Sequence, residues 1–296
     1  MELSDLMTFA AVARTGGITR AAEALNTVQS NVTQRIKALE AEIGTALFER
    51  HSRGMTLTGA GRRLLPYAQR MAALSREALL AARDDGDAKG PLAIGSMETT
   101  AAVRLPSLLA GFHRRFPNVA LTLRTATTAD LATAVLEGAL DGAFVTSPID
   151  HAELSGITAF GEELVLIAAR RFGSLAALRA GTPESGPTAL VFRIGCTYRH
   201  RLEDLFAALG WPTAVRCELG TLDGMIGCVA AGMGVALLPR AVVERNELAK
   251  DISILALDPH FARIETLFIH RRTQHHTSAL AAFISCLDDQ GREIAA

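Results

Sequence analysis

The sequence predicts a multidomain protein with a small all-α head, one long linker helix and a C-terminal α/β domain. Three observations carry that division. Up to about residue 58, apolar residues recur at helical spacing in three short runs. From Thr58 to about Asp85 a single helical pattern continues with a narrow apolar seam. Beyond Pro91, short apolar runs alternate with helical patterns, the texture of largely parallel sheets covered by helices.

In the head, Leu6, Phe9, Ala10 and Ala13 share one face of a first helix, which ends at Gly16-Gly17. Ile18, Ala21, Ala22 and Leu25 do so on a second helix, and Val32, Ile36, Leu39 and Ile43 on a third. Asn26-Thr27 falls between the second and third, where a tight turn needs a cap. Ala21-Ala22 carries no bulk, so the third helix can cross the second closely, with Leu25, Val32 and Ile36 filling the crossing. Two helices joined in this way describe a helix-turn-helix. The third helix then presents Gln29, Ser30, Asn31, Gln34 and Arg35 outward. Glutamine and asparagine pair with adenine edges in the major groove and arginine with guanine, while the helix N-terminus favours phosphate. Arg50, Arg53, Arg62 and Arg63 follow with no acid between residues 50 and 63, and Gly54 falls where a wing hairpin would turn. A helical cap with a solvated polar face has the same pattern, and the pattern alone leaves both readings open.

The linker seam runs through Leu64, Ala68, Met71, Leu74 or Ser75, Ala78 and Ala82, which suits pairing with another helix. About 28 residues of helix span about 42 Å. Pro66 should kink the first part, and 84–90, rich in aspartate and glycine, reads as a hinge. In the α/β region, strands are expected at Leu92–Gly95, Val119–Leu123, Gly142–Val145, Leu164–Ala168, Ala189–Phe192, Gly234–Leu238 and Thr266–Ile269.

Composition narrows the function classes. The 296 residues are 49% hydrophobic and 21% charged, which excludes wholesale disorder. The formal charge is −1, so a nucleic acid would have to be met by a local basic patch. No run of about 18 apolar residues suggests a membrane span, and Met1-Glu2-Leu3-Ser4-Asp5 lacks the regions of a signal peptide, so a cytoplasmic location is expected. The four cysteines, Cys196, Cys217, Cys228 and Cys286, form no C-x-x-C pair and have no histidine at zinc spacing, so no metal site is expected. His200, His270, His275 and His276 are scattered. No nucleophile–base pair or phosphate-cradling glycine motif is legible, so neither an enzyme nor a cofactor is expected.

The wording of the head is more specific than any of these patterns. Phe9-Ala10-Ala11-Val12-Ala13 leads to Gly16-Gly17-Ile18-Thr19-Arg20-Ala21-Ala22-Glu23-Ala24-Leu25. Then follow Val28-Gln29-Ser30-Asn31-Val32-Thr33-Gln34-Arg35-Ile36-Lys37-Ala38-Leu39-Glu40, Ile43-Gly44, Leu47-Phe48-Glu49-Arg50, and Leu57-Thr58 before Ala60-Gly61. This closely resembles the N-terminal signature of LysR-type transcriptional regulators, and the remaining lengths fit that family over the whole chain. The resemblance implies a winged helix-turn-helix over 1–58, a linker and dimerisation helix with its hinge over 59–90, and an effector-binding domain over 91–296. The helix from about Val28 would lie in the major groove, the wing around Arg50 to Thr56 near the backbone or minor groove, and Thr19 on a phosphate. The DNA-binding set is thus Thr19, Gln29, Ser30, Asn31, Thr33, Gln34, Arg35, Arg50 and Arg53. Thr33 stands where the family usually has serine, and Gly59 where it often has an acidic residue or proline.

The family's C-terminal part resembles periplasmic solute-binding proteins, with two α/β lobes and a ligand between them. Here lobe one would hold 91–162 and 268–296, and lobe two 163–267. Ligands of open α/β sheets sit beyond the strand carboxyl ends, near helix N-termini. The matching loops supply Ser96, Glu98, Thr99 and Thr100, then Thr125 and Thr127, then Arg193, Thr197 and Arg199, with Thr221 capping a helix toward the cleft. Such hydroxyls also simply cap helices, and Arg193, Arg199 and Arg201 cannot all face one pocket. A small carboxylate or amino-acid-like effector is expected, Glu98 favouring a ligand that also carries an amine. The resemblance further implies a palindromic operator, a homodimer through the linker helix and a homotetramer. The alternative within the family is a thiol-based redox sensor using Cys196, although 201–209 holds no partner cysteine.

Overall fold

A computed structural model describes residues 1–51, 54–212 and 214–295, the side chains of Arg50 and of 288–295 excepted. Contacts divide it into two compact units, Met1–Asp85 with Leu136–Ala139, and Gly86–Val135 with Leu140–Ala296.

The first unit opens with α1 (Leu3–Thr15), α2 (Ile18–Ala24) and α3 (Gln29–Ile43), followed by β1 (Phe48–His51), β2 (Gly54–Leu57) and the long α4 (Gly59–Arg83). Leu6, Phe9, Val12, Ala21, Ala22, Val32, Ile36 and Leu39 are buried together with Leu47, Phe48 and Ala68. The Phe9 and Phe48 rings lie 5.2 Å apart and tie the wing to the helices. On α1 Leu6, Phe9, Ala11 and Val12 are buried, and Ala10 and Ala13 are half-buried against the same core, because this helix packs against α2, α3 and α4. Ile43, expected in the core, is exposed in the last turn of α3.

β1 and β2 pair antiparallel from Phe48–Leu57 to His51–Gly54. Gly54 has φ +132°, and a Cβ there would sit 2.6 Å from the Gly16 carbonyl. That same carbonyl accepts the Met55 N–H at 3.1 Å, so the wing is pinned to the α1–α2 turn. Thr58 caps α4 by accepting the Gly61 N–H at 3.0 Å and donating to the Ala46 carbonyl at 2.8 Å. α4 runs through Pro66 as a single helix. Its expected seam divides in two. Ala68 is buried in the head core with Leu64 and Leu65 against it. Tyr67, Met71 and Leu74 are 65%, 42% and 62% exposed, and with Ala78 they form a separate stripe roughly a quarter turn away.

The second unit begins with β3 (Gly90–Ser96), α5 (Glu98–Val103), α6 (Leu105–Arg115), β4 (Val119–Thr125), α7 (Thr128–Leu136) and β5 (Gly142–Thr146). The 16-residue β6 (Leu154–Ala169) then crosses to the second lobe. That lobe holds α8 (Leu175–Ala180), β7 (Ala189–Val191), α9 (Thr197–Ala208), β8 (Arg216–Glu218), α10 (Leu222–Ala230), β9 (Ala236–Pro239), α11 (Arg240–Glu244) and β10 (Ile252–Leu255). After α12 (Pro259–Ala262), β11 (Arg263–Arg271) returns the chain to the first lobe, where α13 (Ser278–Ala295) closes it.

β3 pairs in parallel with β4 and β5, and β7 with β8. The crossing strands pair antiparallel, β11 with β5 and β6, and β9 and β10 with β6. The sheets are therefore mixed rather than largely parallel: a chain that leaves a lobe and returns must run its two connections in opposite directions. Phe112, Phe144, Phe160, Phe268 and Phe283 share the first-lobe core. Leu164, Leu202, Phe206, Trp211 and Ile264 share a core on one face of the second lobe, and Met225, Ile226 and Val229 on the other. The cores change hands between Phe160 and Leu164 on β6, and between Ile264 and Phe268 on β11. Among the described residues, no helix is long and apolar enough to cross a membrane.

Candidate DNA-reading face and effector cleft

The N-cap of α3 is Val28, whose side chain offers no cap and is 65% exposed, and the N-cap of α2 is Gly17, also without a side-chain cap. Both helix starts therefore carry backbone N–H groups that the N-cap residue's side chain does not satisfy, which is the arrangement that binds phosphate. Thr19, Val28, Gln29 and Ser30 border one shallow hollow at these ends. Gln29, Ser30 and Gln34 are exposed on α3, and Thr33 is half-buried beside them. Asn31 is partly committed, its Nδ2 donating to Thr27 Oγ1 at 2.9 Å.

Arg35 departs from the expectation that it projects outward. Its guanidinium donates to Asp5 Oδ1 at 2.9 Å and Ser4 Oγ at 2.6 Å on α1, because its position on α3 lies at the α1 edge of the reading face. Lys37, exposed and one turn beyond Gln34, takes the outward place that spacing from Ser30 and Gln34 could have indicated. Arg50 lies on β1, its side chain outside the described residues, and Arg53 is outside them altogether.

The second unit carries a cleft of about 320 Å³ between its lobes. Of the expected residues, Glu98, Thr99, Thr125, Thr127 and Arg193 line it. Five do not. Ser96 is wholly buried behind it and donates to the Met97 carbonyl at 2.9 Å. Thr100 is buried one position further along α5. Thr197 stands in the first turn of α9 outside the lining. Thr221 caps α10 by accepting the Gly224 N–H at 3.2 Å. Arg199 is drawn the other way, to Glu218 at 3.0 Å and Glu203 at 3.4 Å. The lining also includes Met97, Ala126, Thr128, Phe192, Cys196, Tyr198, Leu219 and Gly220. Most of these directly adjoin an expected residue; Leu219 and Gly220 follow β8, a strand too short and polar to be seen in the sequence.

Several of the cleft's polar groups are already engaged. Glu98 Oε1 accepts the Leu222 N–H at the start of α10 at 3.1 Å. Thr99 Oγ1 lies 3.2 Å from the Tyr198 hydroxyl. Thr127 Oγ1 accepts the Asp130 N–H at 3.2 Å and so caps α7. Arg193, more than half exposed, lies 3.5 Å from Asp130. Burial holds the Tyr198 phenol far above its ordinary range, so it is a neutral hydroxyl. Burial also pushes the Cys196 thiol up, outweighing the backbone N–H groups of α9 that pull it down. An activated thiolate requires the opposite shift, so nothing at Cys196 favours the redox alternative. Among the described residues, no group of three or more His, Cys, Asp or Glu could hold a metal ion.

A head with two abutting helices and a wing, joined to two α/β lobes around a cleft, defines a ligand-responsive helix-turn-helix regulator. Residues 3–62 match the bacterial regulatory helix-turn-helix proteins of the lysR family, and residues 85–292 match the LysR substrate binding domain. The chain belongs to the LysR family of DNA-binding transcriptional regulators and carries that family's effector-binding domain. It is 44% identical to the HTH-type transcriptional regulator YusT of Bacillus subtilis (strain 168), covering 96% of this chain and 94% of YusT. It is 41% identical to YofA of the same organism, covering 99% and 100%. The solved structure of full-length CbnR complexed with its target DNA superposes with a TM-score of 0.67 at 26% identity, covering 98% of this chain and 99% of CbnR.

Proposed function

We propose that this regulator reads a palindromic operator through α3 and its wing, and responds to a small carboxylate or amino-acid-like metabolite held in the cleft. The observation that carries the effector reading is the cleft of about 320 Å³, in which threonine hydroxyls of the first lobe face Cys196 and Tyr198 at the start of α9. Its size suits a metabolite, and its mixture of hydroxyls with Phe192, Leu219 and Met97 suits one with a polar head and a short apolar part. For DNA, the exposed set of Thr19, Gln29, Ser30 and Gln34 supports the reading, as does the similarity to CbnR, solved with its target DNA. Thr33 and Asn31 stand beside that set, Lys37 adds a phosphate contact, and Arg50 belongs to the wing. The exposed stripe of Tyr67, Met71 and Leu74 pairs with its twin in a homodimer, which associates further to a homotetramer. The protein acts in the cytoplasm and without catalysis.

The test is a thermal-shift screen of amino acids and small carboxylates, followed by variants measured for both effector and operator affinity. A ligand at 100 times its dissociation constant raises stability by about 2.7 kcal/mol. Thr125→Leu, inside the lining, abolishes the response and spares operator binding. Thr197→Leu, outside it, changes neither. A response that survives Thr125→Leu and is lost in Thr197→Leu places the ligand elsewhere.

A further inference from the structure

By chain order α5 belongs to the first lobe, between β3 and α6, yet it is fastened to the second lobe at both ends. At its start, Glu98 Oε1 accepts the Leu222 N–H at 3.1 Å, and Thr99 Oγ1 meets the Tyr198 hydroxyl at 3.2 Å. At its end, Val103 is buried among second-lobe residues that include Met225, Ile226, Val242 and Val243. The Val103 carbonyl accepts from Arg245 at 2.9 Å. Arg104, next in the chain, holds Glu162 at 3.1 and 3.2 Å, where β6 crosses between lobes. The two ends differ in access. Glu98, Thr99 and Tyr198 line the cleft, whereas Val103 and Arg245 do not. A molecule entering the cleft therefore meets the first fastening and not the second.

We propose that α5 is a strap that fixes the angle between the lobes, and that Glu98 and Thr99 are its release point. A ligand that takes over either residue's partner frees the cleft end of α5, while the Val103 end stays anchored in the second-lobe core. The trigger rests on the effector reading given above; the strap itself does not. The chemistry of release also narrows the ligand. Parting Glu98 from the Leu222 N–H leaves a carboxylate and a helix-end donor each short of a partner, and unmet groups in a half-buried site are costly. The ligand must bring a donor and an acceptor side by side, as the neighbouring ammonium and carboxylate of an amino acid do.

Amide hydrogen exchange on the full-length, ligand-free protein tests the strap. In Glu98→Ala the Leu222 amide exchanges about tenfold faster or more, the loss expected of a charge-assisted bond. A purely local helix cap would do the same, so Tyr198→Phe is the discriminating variant. It removes only the hydroxyl, which meets Thr99 and also Thr146 of the first lobe, and a strap that acts as a unit then releases Leu222 as well, by several-fold. Thr99→Val removes the same bond from the other side and serves if the tyrosine variant melts early. A Leu222 rate unchanged in Glu98→Ala, or unchanged in both Tyr198→Phe and Thr99→Val, overturns the proposal. Because the measurement needs no ligand, a failed effector search leaves a positive result standing, and unchanged exchange leaves the effector reading intact.

Discussion

Arg35 separates a structural from a reading role in a way that can be measured. The guanidinium is held by Asp5 at 2.9 Å and Ser4 at 2.6 Å, with the arginine side chain 36% and the aspartate 14% exposed. A charge-assisted bond with one partner largely buried would contribute about 1.5–3 kcal/mol in full desolvation. Partial exposure of the arginine screens it, so about 1 kcal/mol is the expected coupling. Arg35→Ala and Asp5→Ala should each destabilise the head in urea, and the double variant should cost less than the two summed, by that coupling. On DNA selected from a random pool, Arg35→Ala should weaken specific and nonspecific binding alike and slightly. Gln34→Ala, whose side chain is free to reach a base edge, should weaken the selected site by about 1–3 kcal/mol and spare random DNA. If Arg35→Ala instead costs more than about tenfold on the selected site alone, and the Asp5 cycle shows no coupling, the arginine leaves α1 on binding and the reasoning from its ion pair fails.

Other expectations follow from single contacts. Gly54→Ala places a Cβ 2.6 Å from the Gly16 carbonyl at a φ of +132°, so the wing should detach from the α1–α2 turn at a cost of about 1–3 kcal/mol, read in urea unfolding. Met71→Glu with Leu74→Glu puts charge on the exposed α4 stripe, and sedimentation at micromolar concentration should then show monomer where the parent shows an oligomer. His276 Nε2 lies 3.2 Å from His270 Nδ1, and burial, followed by the His270 and His275 charges, holds its pKa below the ordinary value. A depressed histidine binds its proton later in the folded state than in the unfolded one. Its contribution is therefore whole above the ordinary histidine pKa and is lost as pH falls below it. Melting temperature should drop as pH falls through 6.5 toward the lowered value, and His276→Asn should flatten that slope.

The parts legible in the sequence are those whose signal is local. Val32, Ile36 and Leu39 repeat at helical spacing and are wholly buried; Gly54 and Thr58 mark the wing and the α4 start by residue type alone. The strands legible in the sequence carry a short apolar run, such as Gly142–Thr146, where every residue is buried. Two of the segments that are not legible have no apolar run to show: β8 is Arg-Cys-Glu, and the first half of β6 alternates buried with exposed residues. Arg35 and Arg199 were misplaced for one reason. An arginine reaches far, and whether it faces solvent or turns back depends on an acid distant in sequence, Asp5 for one and Glu218 for the other. The loops that border the cleft are indicated by the family resemblance together with strand ends and helix starts; which residues of each loop face inward depends on the packing of the second lobe.

The cleft's charge balance gives those placements a functional sense. With Arg199 committed to Glu203 and Glu218, the cationic group left in the lining is Arg193, itself 3.5 Å from Asp130 and more than half exposed. Opposite it stands Glu98, whose carboxylate already occupies the Leu222 N–H. A simple anion entering would meet a screened cation on one side and a fixed negative charge on the other, and would gain little from either. A zwitterion meets both with the sign each prefers, its carboxylate toward Arg193 or the Leu222 N–H and its ammonium toward Glu98. The gain would come through contacts that hold the two lobes to one another, which is where differential affinity must act if binding is to shift the balance between conformations. On the proposed reading, Glu98, awkward for an anion site read from the sequence alone, is the residue on which recognition and switching in this cleft would converge.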